Sequence, residues 1–187
     1  MPNDLSVKLP ADLALDPAGV GVAFERLAEF AHGLPDPLAV VGVRRGGVHL
    51  GRRLVQRLSE AGRQVPPLGI LDIGLYRDDA FSAAHRPVVG PTEMGFALDG
   101  RSVLLCDDVL YTGRTIRAAL DELMDFGRPR RVYLAVLIDR GGRELPIAAD
   151  VVGAQLTVPT GASVEVRLRE DGGVDEVRIE PRPAGGA

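Results

Sequence analysis

Continuous apolar runs and helically spaced apolar stripes alternate along this chain. From Val20 to His32 the apolar residues Val20, Val22, Phe24, Leu27, Ala28 and Ala31 recur at helical spacing, and Gly33 and Pro35 end the pattern. Leu38 to Val43 is an unbroken apolar run of strand length, the pattern of a strand buried on both faces. Arg44-Arg45-Gly46-Gly47 is a turn, and Val48 to Ala61 is the helix behind it. Pro66 to Leu75 is a second strand region. Ser102 to Cys106, the amphipathic stretch Thr115 to Phe126 and Arg131 to Ile138 predict a strand–helix–strand unit. Val151-Val152 is a further short strand. Val164–Leu168 and Val174–Ile179 flank Asp171-Gly172-Gly173, a hairpin signal. Such alternation predicts an α/β fold with a central, mostly parallel sheet flanked by helices on both faces.

The remainder lacks periodicity. Residues 1–17 read as a polar N-terminal extension, ordered at best in part, and 181–187 as a flexible tail. Tyr76 to Pro91 mixes Arg, Asp, His, Pro and Gly and reads as a long exposed loop, of a length that is functional or disordered in compact domains. There is no internal repeat. At 187 residues the chain, 1–187, is expected to be a single domain with a core of ordinary size.

Composition narrows the function. Hydrophobic residues make up 45% and aromatic residues 4%, which suits an aliphatic α/β core rather than an aromatic-rich binding module. Lys+Arg 22 against Asp+Glu 26 leaves a net charge of −4, which weighs against nonspecific nucleic-acid binding but permits a local basic patch. Lys8 is the only lysine. The single Cys106 excludes an internal disulfide and a multi-cysteine metal site, and reads as a small apolar residue of its strand. No apolar run reaches membrane-spanning length and no signal pattern opens the chain, so a cytoplasmic protein is expected.

The chemistry concentrates in Val103 to Leu120, VLLCDDVLYTGRTIRAAL. An apolar strand ends in Asp107-Asp108, at the carboxyl edge where open α/β sheets place their ligands. Tyr111-Thr112-Gly113-Arg114-Thr115 then opens a helix. Free N–H groups and hydroxyls at a helix start form an anion site, and Gly113 allows close backbone approach. Carboxylates for sugar hydroxyls or a metal thus stand beside a cradle for one phosphate, a combination that suits a phosphorylated sugar. An acidic pair alone reads as a helix cap or a solvated strand end, and Thr112 alone as an N-cap. Neither reading accounts for the whole motif. No Gly-Lys-Ser or Gly-Lys-Thr marks a nucleoside-triphosphate loop, and no dinucleotide fingerprint follows a strand.

DDVLYTGRT, Asp107 to Thr115, resembles the phosphoribosyl-pyrophosphate (PRPP) signature of type I phosphoribosyltransferases. LDIGLYRDD (Leu71–Asp79), GRPRRVYLAVLIDRG (Gly127–Gly141) and RELPIAAD (Arg143–Asp150) are similar to one branch of them, the bifunctional pyrimidine operon attenuation proteins. That family joins uracil phosphoribosyltransferase activity to RNA-binding regulation of pyrimidine genes. The resemblance runs from about Val20 to about Glu180 and carries four motifs in the same order.

The resemblance implies a type I phosphoribosyltransferase fold with a small hood and the reaction of uracil with PRPP to give UMP and pyrophosphate. Asp107 and Asp108 would hold the ribose hydroxyls and stabilise a sugar that turns cationic as its glycosidic bond loosens. Val109, Leu110, Tyr111, Thr112, Gly113, Arg114 and Thr115 complete the PRPP-binding segment. Arg44, Arg45, Gly46 and Gly47 form the pyrophosphate loop. The family writes Thr-Arg-Gly where this chain has Arg45-Gly46-Gly47, so the arginine sits one place early; a plain glycine turn with solvated arginines is the other reading. Arg77, in the loop that would close over PRPP and exclude water, would meet pyrophosphate as a planar donor fork. Gly74 stands where the family commonly has Thr. Ile138, Asp139 and Arg140 border the implied base pocket. Mg²⁺ would arrive mainly on PRPP, with Asp107 and Asp108 as its protein-side oxygens. A homodimer or higher homo-oligomer is expected.

The regulatory half departs from the family pattern. Where relatives show RGHRELPIRAD followed by GKN, this chain has Gly142 for the His, Ala148 for the Arg and Ala154 for the Lys, and keeps Arg143. In the first helix Glu25 replaces a Thr and Glu29 a His. Carboxylates repel phosphates, so binding to pyrimidine leader mRNA is expected to be weakened. Two other functions fit the residues: a UMP-sensing RNA-binding attenuator with little catalysis, and a phosphoribosyltransferase for another base.

Overall fold

The computed structural model describes residues 12–73 and 92–181. Five strands form a parallel sheet in the order β3-β2-β4-β5-β6, where β2 is Leu38–Val43, β3 Leu68–Leu71, β4 Ser102–Leu110, β5 Arg131–Asp139 and β6 Val151–Gln155. Helices α1 (Pro17–His32) and α2 (Gly46–Glu60) pack on one face, and α3 (Arg114–Asp125) on the other. The apolar runs show why. Leu38 and Val40, Leu104 and Cys106, and Ala135 and Leu137 enter the core under α1 and α2. Their alternates, Ala39 and Val41, Val103 and Leu105, and Leu134 and Val136, enter the core under α3. A strand covered on both sides must be apolar at every position, which is the continuous run of the sequence.

A smaller antiparallel sheet, β1-β8-β7, forms the hood: β1 is Leu13–Leu15, β7 Ala162–Arg167 and β8 Glu176–Pro181. Its Val177 and the neighbouring Leu168 are buried in the α1/α2 core, so hood and main sheet share one interior.

The structure redraws several boundaries. Helix α1 begins three residues before its apolar stripe, because Asp16 accepts a hydrogen bond from the Gly19 N–H at 2.8 Å and Pro17 stands at the first turn. Part of the polar extension is strand β1, held by pairing of Leu13 with Arg178 and Leu15 with Val177, partners more than 160 residues away. The expected tight Asp-Gly-Gly hairpin turn is instead a longer connection, 168–175, containing a short 3₁₀ turn at Arg169–Asp171 and Gly172 at φ +89°. Arg53 on α2 grips this connection through Glu170 and Asp175, at distances down to 2.5 and 2.6 Å. The predicted strand Ser102–Cys106 runs on through the two aspartates to Leu110, because its neighbour β5 continues alongside, Asp107 opposite Val136 and Leu110 opposite Asp139.

Candidate active site

That extension of β4 builds the site. Pairing between β2 and β4 stops at Gly42–Cys106. Asp107 to Leu110 therefore overhang the end of β2, laddered to β5 alone, at the carboxyl edge of the parallel sheet. The loop leading from β2 into α2 fills the space beside them. A Cβ on Gly47 would stand 2.1 Å from the Cys106 carbonyl oxygen, and a Cβ on Gly46 would stand 2.3 Å from Asp108 Oδ2. At 47 only glycine lets this helix start lie against the acidic strand, and at 46 a side chain would require Asp108 to shift.

Asp107 is buried, and its Oδ1 accepts from the Asp108 N–H at 3.0 Å. Asp108 is half-buried and turns one oxygen to the Val109 N–H at 2.9 Å and the other towards Gly46. Burial pushes the Asp108 carboxyl up; hydrogen bonds from Asp107 and the backbone oppose this, and the negative Asp171 of the hood connection adds to the rise.

The phosphate-type loop follows. Gly113, at φ +92°, occupies the N-cap of α3, a conformation that L side chains rarely adopt. The cap is thus the glycine, with Thr112 beside it: Thr112 Oγ1 accepts from the Arg114 N–H at 3.3 Å. Thr115 is half-buried in the first turn, and Arg114 turns outward to Glu144 at 2.8 Å. The Thr112 carbonyl accepts from the N–H groups of Glu144 and Leu145 at 3.0 and 3.1 Å.

Arg143 secures this loop. It donates to the carbonyls of Tyr111 at 2.8 Å, Leu110 at 3.3 Å and Ile147 at 3.0 Å, and to Asp139 Oδ2 at 2.6 Å. Sequence reasoning assigned it to an RNA surface. Two of its four partners are backbone carbonyls more than 30 residues away, which no local pattern encodes. Arg140 lies 4.2 Å from the centre of the Tyr111 ring and donates to the Ala162 carbonyl at 2.9 Å. Gly142, at φ +75°, faces the same ring, and a Cβ there would come within 2.5 Å of it.

The other expected site residues are placed as follows. Ile138 is fully buried in the α1/α2 core, so its side chain serves packing, while Asp139 and Arg140 border the loop. Arg44 is ion-paired to Asp72 at 3.4 Å and to Glu93 at 3.2 Å. Arg45 is exposed at the start of α2. Arg77 and the loop around it lie outside the described residues. Among the described residues no cluster of three or more His, Cys, Asp or Glu side chains is gathered for a metal. The two carboxylates are hard oxygen donors that suit Mg²⁺ carried in on a phosphorylated substrate better than a caged resident ion.

Comparison with known proteins agrees with this geometry. Residues 20–169 match the phosphoribosyl transferase domain family. Among solved structures, the chain is similar to a hypoxanthine phosphoribosyltransferase from Trypanosoma cruzi, with a TM-score of 0.67 at 18% identity over 91% of this chain and 97% of that one. A hypoxanthine phosphoribosyltransferase from Staphylococcus aureus gives a TM-score of 0.67 at 17% identity, over 92% and 93%. At that identity the likeness shows the fold, and fold and family match together place the chain among the phosphoribosyltransferases. It is 54% identical over 154 residues to the bifunctional protein PyrR of a Roseiflexus species, covering 82% of this chain and 84% of the relative. It is also 54% identical over 142 residues to that of Pelotomaculum thermopropionicum, 76% and 78% covered, and 49% identical over 145 residues to that of Thermus thermophilus, 78% and 80% covered. The chain belongs to the bifunctional PyrR family, the branch its motifs resembled.

Proposed function

We propose that this chain transfers phosphoribose from PRPP to uracil, giving UMP and pyrophosphate, and that its attenuator-type RNA binding is weak. The observation that carries the first half is the overhang of Asp107 and Asp108 beside the Tyr111–Thr115 loop, with Gly46 and Gly47 packed against it. In this reading the two carboxylates take the ribose hydroxyls and offset the positive charge that develops on the sugar. The backbone N–H groups at the start of α3, with the hydroxyls of Thr112 and Thr115, hold the 5′-phosphate. Arg143 and Asp139 keep that loop in place. Val109 and Leu110 carry the chain between the two subsites, and the backbone around Asp139 and Arg140 offers donors and acceptors to the base. Arg45 and the N–H groups of Gly46 and Gly47 face the leaving group; Arg77, which the family resemblance adds to them, lies outside the described residues. Asp107 and Asp108 would offer their oxygens to Mg²⁺ carried in on PRPP, whose charge would offset that of the pyrophosphate.

UMP formation from uracil, PRPP and Mg²⁺, with hypoxanthine and guanine as competing bases, tests this. Product from uracil alone supports it. Preferential use of a purine overturns the base assignment, and no product with UMP still bound makes the site a sensor.

The second half rests on charge. Arg143 is committed to the Tyr111–Thr115 loop and to Asp139. Glu25 and Glu29 are exposed on α1, and with Glu60 they line a groove of about 490 Å³ between α1 and α2 whose basic side chains are Arg57 and His32. Glu25 is itself ion-paired to Arg57. Such a surface repels phosphates. Electrophoretic titration of the chain's own pyrimidine leader RNA at physiological salt checks this, and a tight, sequence-specific complex overturns it. Assembly into a homodimer or larger homo-oligomer belongs to the same reading, and light scattering tests it. No helix among the described residues is long and apolar enough to cross a membrane.

A further inference from the structure

The family's pyrophosphate-loop arginine falls at Gly46 in this chain. Here a side chain at 46 requires Asp108 to move, since even its Cβ would overlap that carboxylate. Arg44, the next cation back, is held by Asp72 and Glu93. The loop itself thus leaves Arg45 as its outward cation.

Two further basic side chains lie one and two turns further along α2. Arg45, His49 and Arg52 are spaced i, i+4, i+7, so they share one face of the helix. They line a cavity of about 370 Å³ with Arg44, Glu93 and Asp171 on its walls, within the size range of small-molecule sites. Arg45 and Arg52 are exposed and have no carboxylate partner among the described residues. His49 is fixed by its Nε2, 3.2 Å from Asp171 Oδ1, while its Nδ1 is buried with no hydrogen-bond partner among the described residues. With Nε2–H given to the Asp171 carboxylate, a ligand oxygen becomes the partner of Nδ1 only when the ring carries its second proton there, as the imidazolium. The cavity thus combines two uncompensated guanidiniums with an oriented imidazole, directly beside the loop that packs on Asp108.

We propose that Arg52 and His49, together with Arg45, form the subsite for the pyrophosphate of PRPP, taking over from the loop side chain that Gly46 lacks. The subsite's ligand is a dianionic or more highly charged diphosphate, met by forked guanidinium donors and one ring N–H. Asp171 makes the hood connection part of the subsite: it holds the His49 ring, and Arg53, one turn on, anchors the same connection through Glu170 and Asp175. This assignment rests on the enzymatic reading for its substrate and on the cavity for its residues.

Calorimetric titration of inorganic pyrophosphate with Mg²⁺ into the full chain, alongside UMP, tests it. Arg52→Ala and His49→Gln are expected to weaken pyrophosphate binding by about tenfold or more each, the loss of a charge-assisted hydrogen bond. The KM for PRPP rises in parallel, while UMP affinity and the melting temperature stay unchanged. Arg57→Ala, on the α1 side of the same helix, is expected to leave all four quantities as they are. Unchanged pyrophosphate affinity in both cavity variants overturns the proposal, as does an equal loss of UMP affinity, which would mean general damage to the site. A wild-type chain that makes no UMP refutes the enzymatic reading instead, and the pyrophosphate titration still decides the subsite.

Discussion

The Arg143 guanidinium donates to the Tyr111 carbonyl oxygen at 2.8 Å and, through its other arm, to the Asp139 carboxylate at 2.6 Å. One side chain therefore ties the end of β5 to the first residue of the phosphate-type loop. A lysine in its place keeps the charge but cannot form the fork. Arg143→Lys is expected to lose ~2 kcal/mol of stability and to weaken UMP binding. Thermal melts and UMP titration check both. Full UMP affinity in the variant would show that the loop holds its shape without the fork.

Asp108 sits half-buried against the start of α2, and in the proposed reaction it faces the sugar as positive charge develops. Asp108→Asn keeps the size and removes the charge. Turnover of uracil and PRPP is expected to fall by tens-fold or more, with the fold intact by circular dichroism. Unchanged turnover would remove this residue from the chemistry.

Gly47 has no room for a methyl group, since the Cys106 carbonyl oxygen would be 2.1 Å away. That oxygen belongs to the backbone of a central strand and cannot step aside. Gly47→Ala is expected to push α2 off β4, costing roughly 1–3 kcal/mol by overpacking and most of the activity. Denaturant unfolding and the UMP assay read the two effects. Gly21, where a Cβ meets nothing within 4 Å, is the control for substitution by Ala as such.

Arg53 joins α2 to the hood connection through Glu170 and Asp175. It holds the Glu170 carboxyl below its ordinary range; at Asp175 burial pushes up, and Arg53 together with the Arg169 N–H and guanidinium outweighs it. A carboxylate with a depressed folded pKa stabilises the fold above its unfolded pKa, and that stability is lost as pH falls through the folded value. Wild-type stability is therefore expected to decline on acidification below the ordinary carboxylate range. Arg53→Met is expected to be less stable at neutral pH, by ~2 kcal/mol for this largely buried network, and to show a flatter acid limb. Unfolding free energies measured against pH check the sign. A variant with the same acid limb would refute the coupling.

Cys106 is fully buried in β4, and burial together with the neighbouring Asp107 pushes its thiol well above the ordinary range. In the native protein it is expected to resist iodoacetamide at neutral pH and to react only on unfolding. Mass spectrometry of protein treated with and without denaturant shows which. Fast native labelling would contradict the buried placement.

The sequence alone determined the α/β class, the elements of the parallel sheet and the position of the carboxylate–phosphate motif. Each of these is written locally: a strand covered on both faces is apolar at every residue, an amphipathic helix repeats every three to four, and a helix-start anion site needs its Gly and Thr within a few positions. What the tertiary structure decided depends on neighbours distant in the chain. Asp107 and Asp108 became strand residues because β5 continues past the end of β2. Leu13–Leu15 became a strand because β8 lies beside it. Arg143 proved to be a brace for the Tyr111–Thr115 loop because its acceptors are backbone carbonyls brought close by the turn after β5. His49, Arg52 and Asp171 share one cavity only because Arg53 holds the hood connection against α2. A side chain's chemistry can be read from its identity, but its partners are set by long-range packing, and that packing distributed the cations of this site.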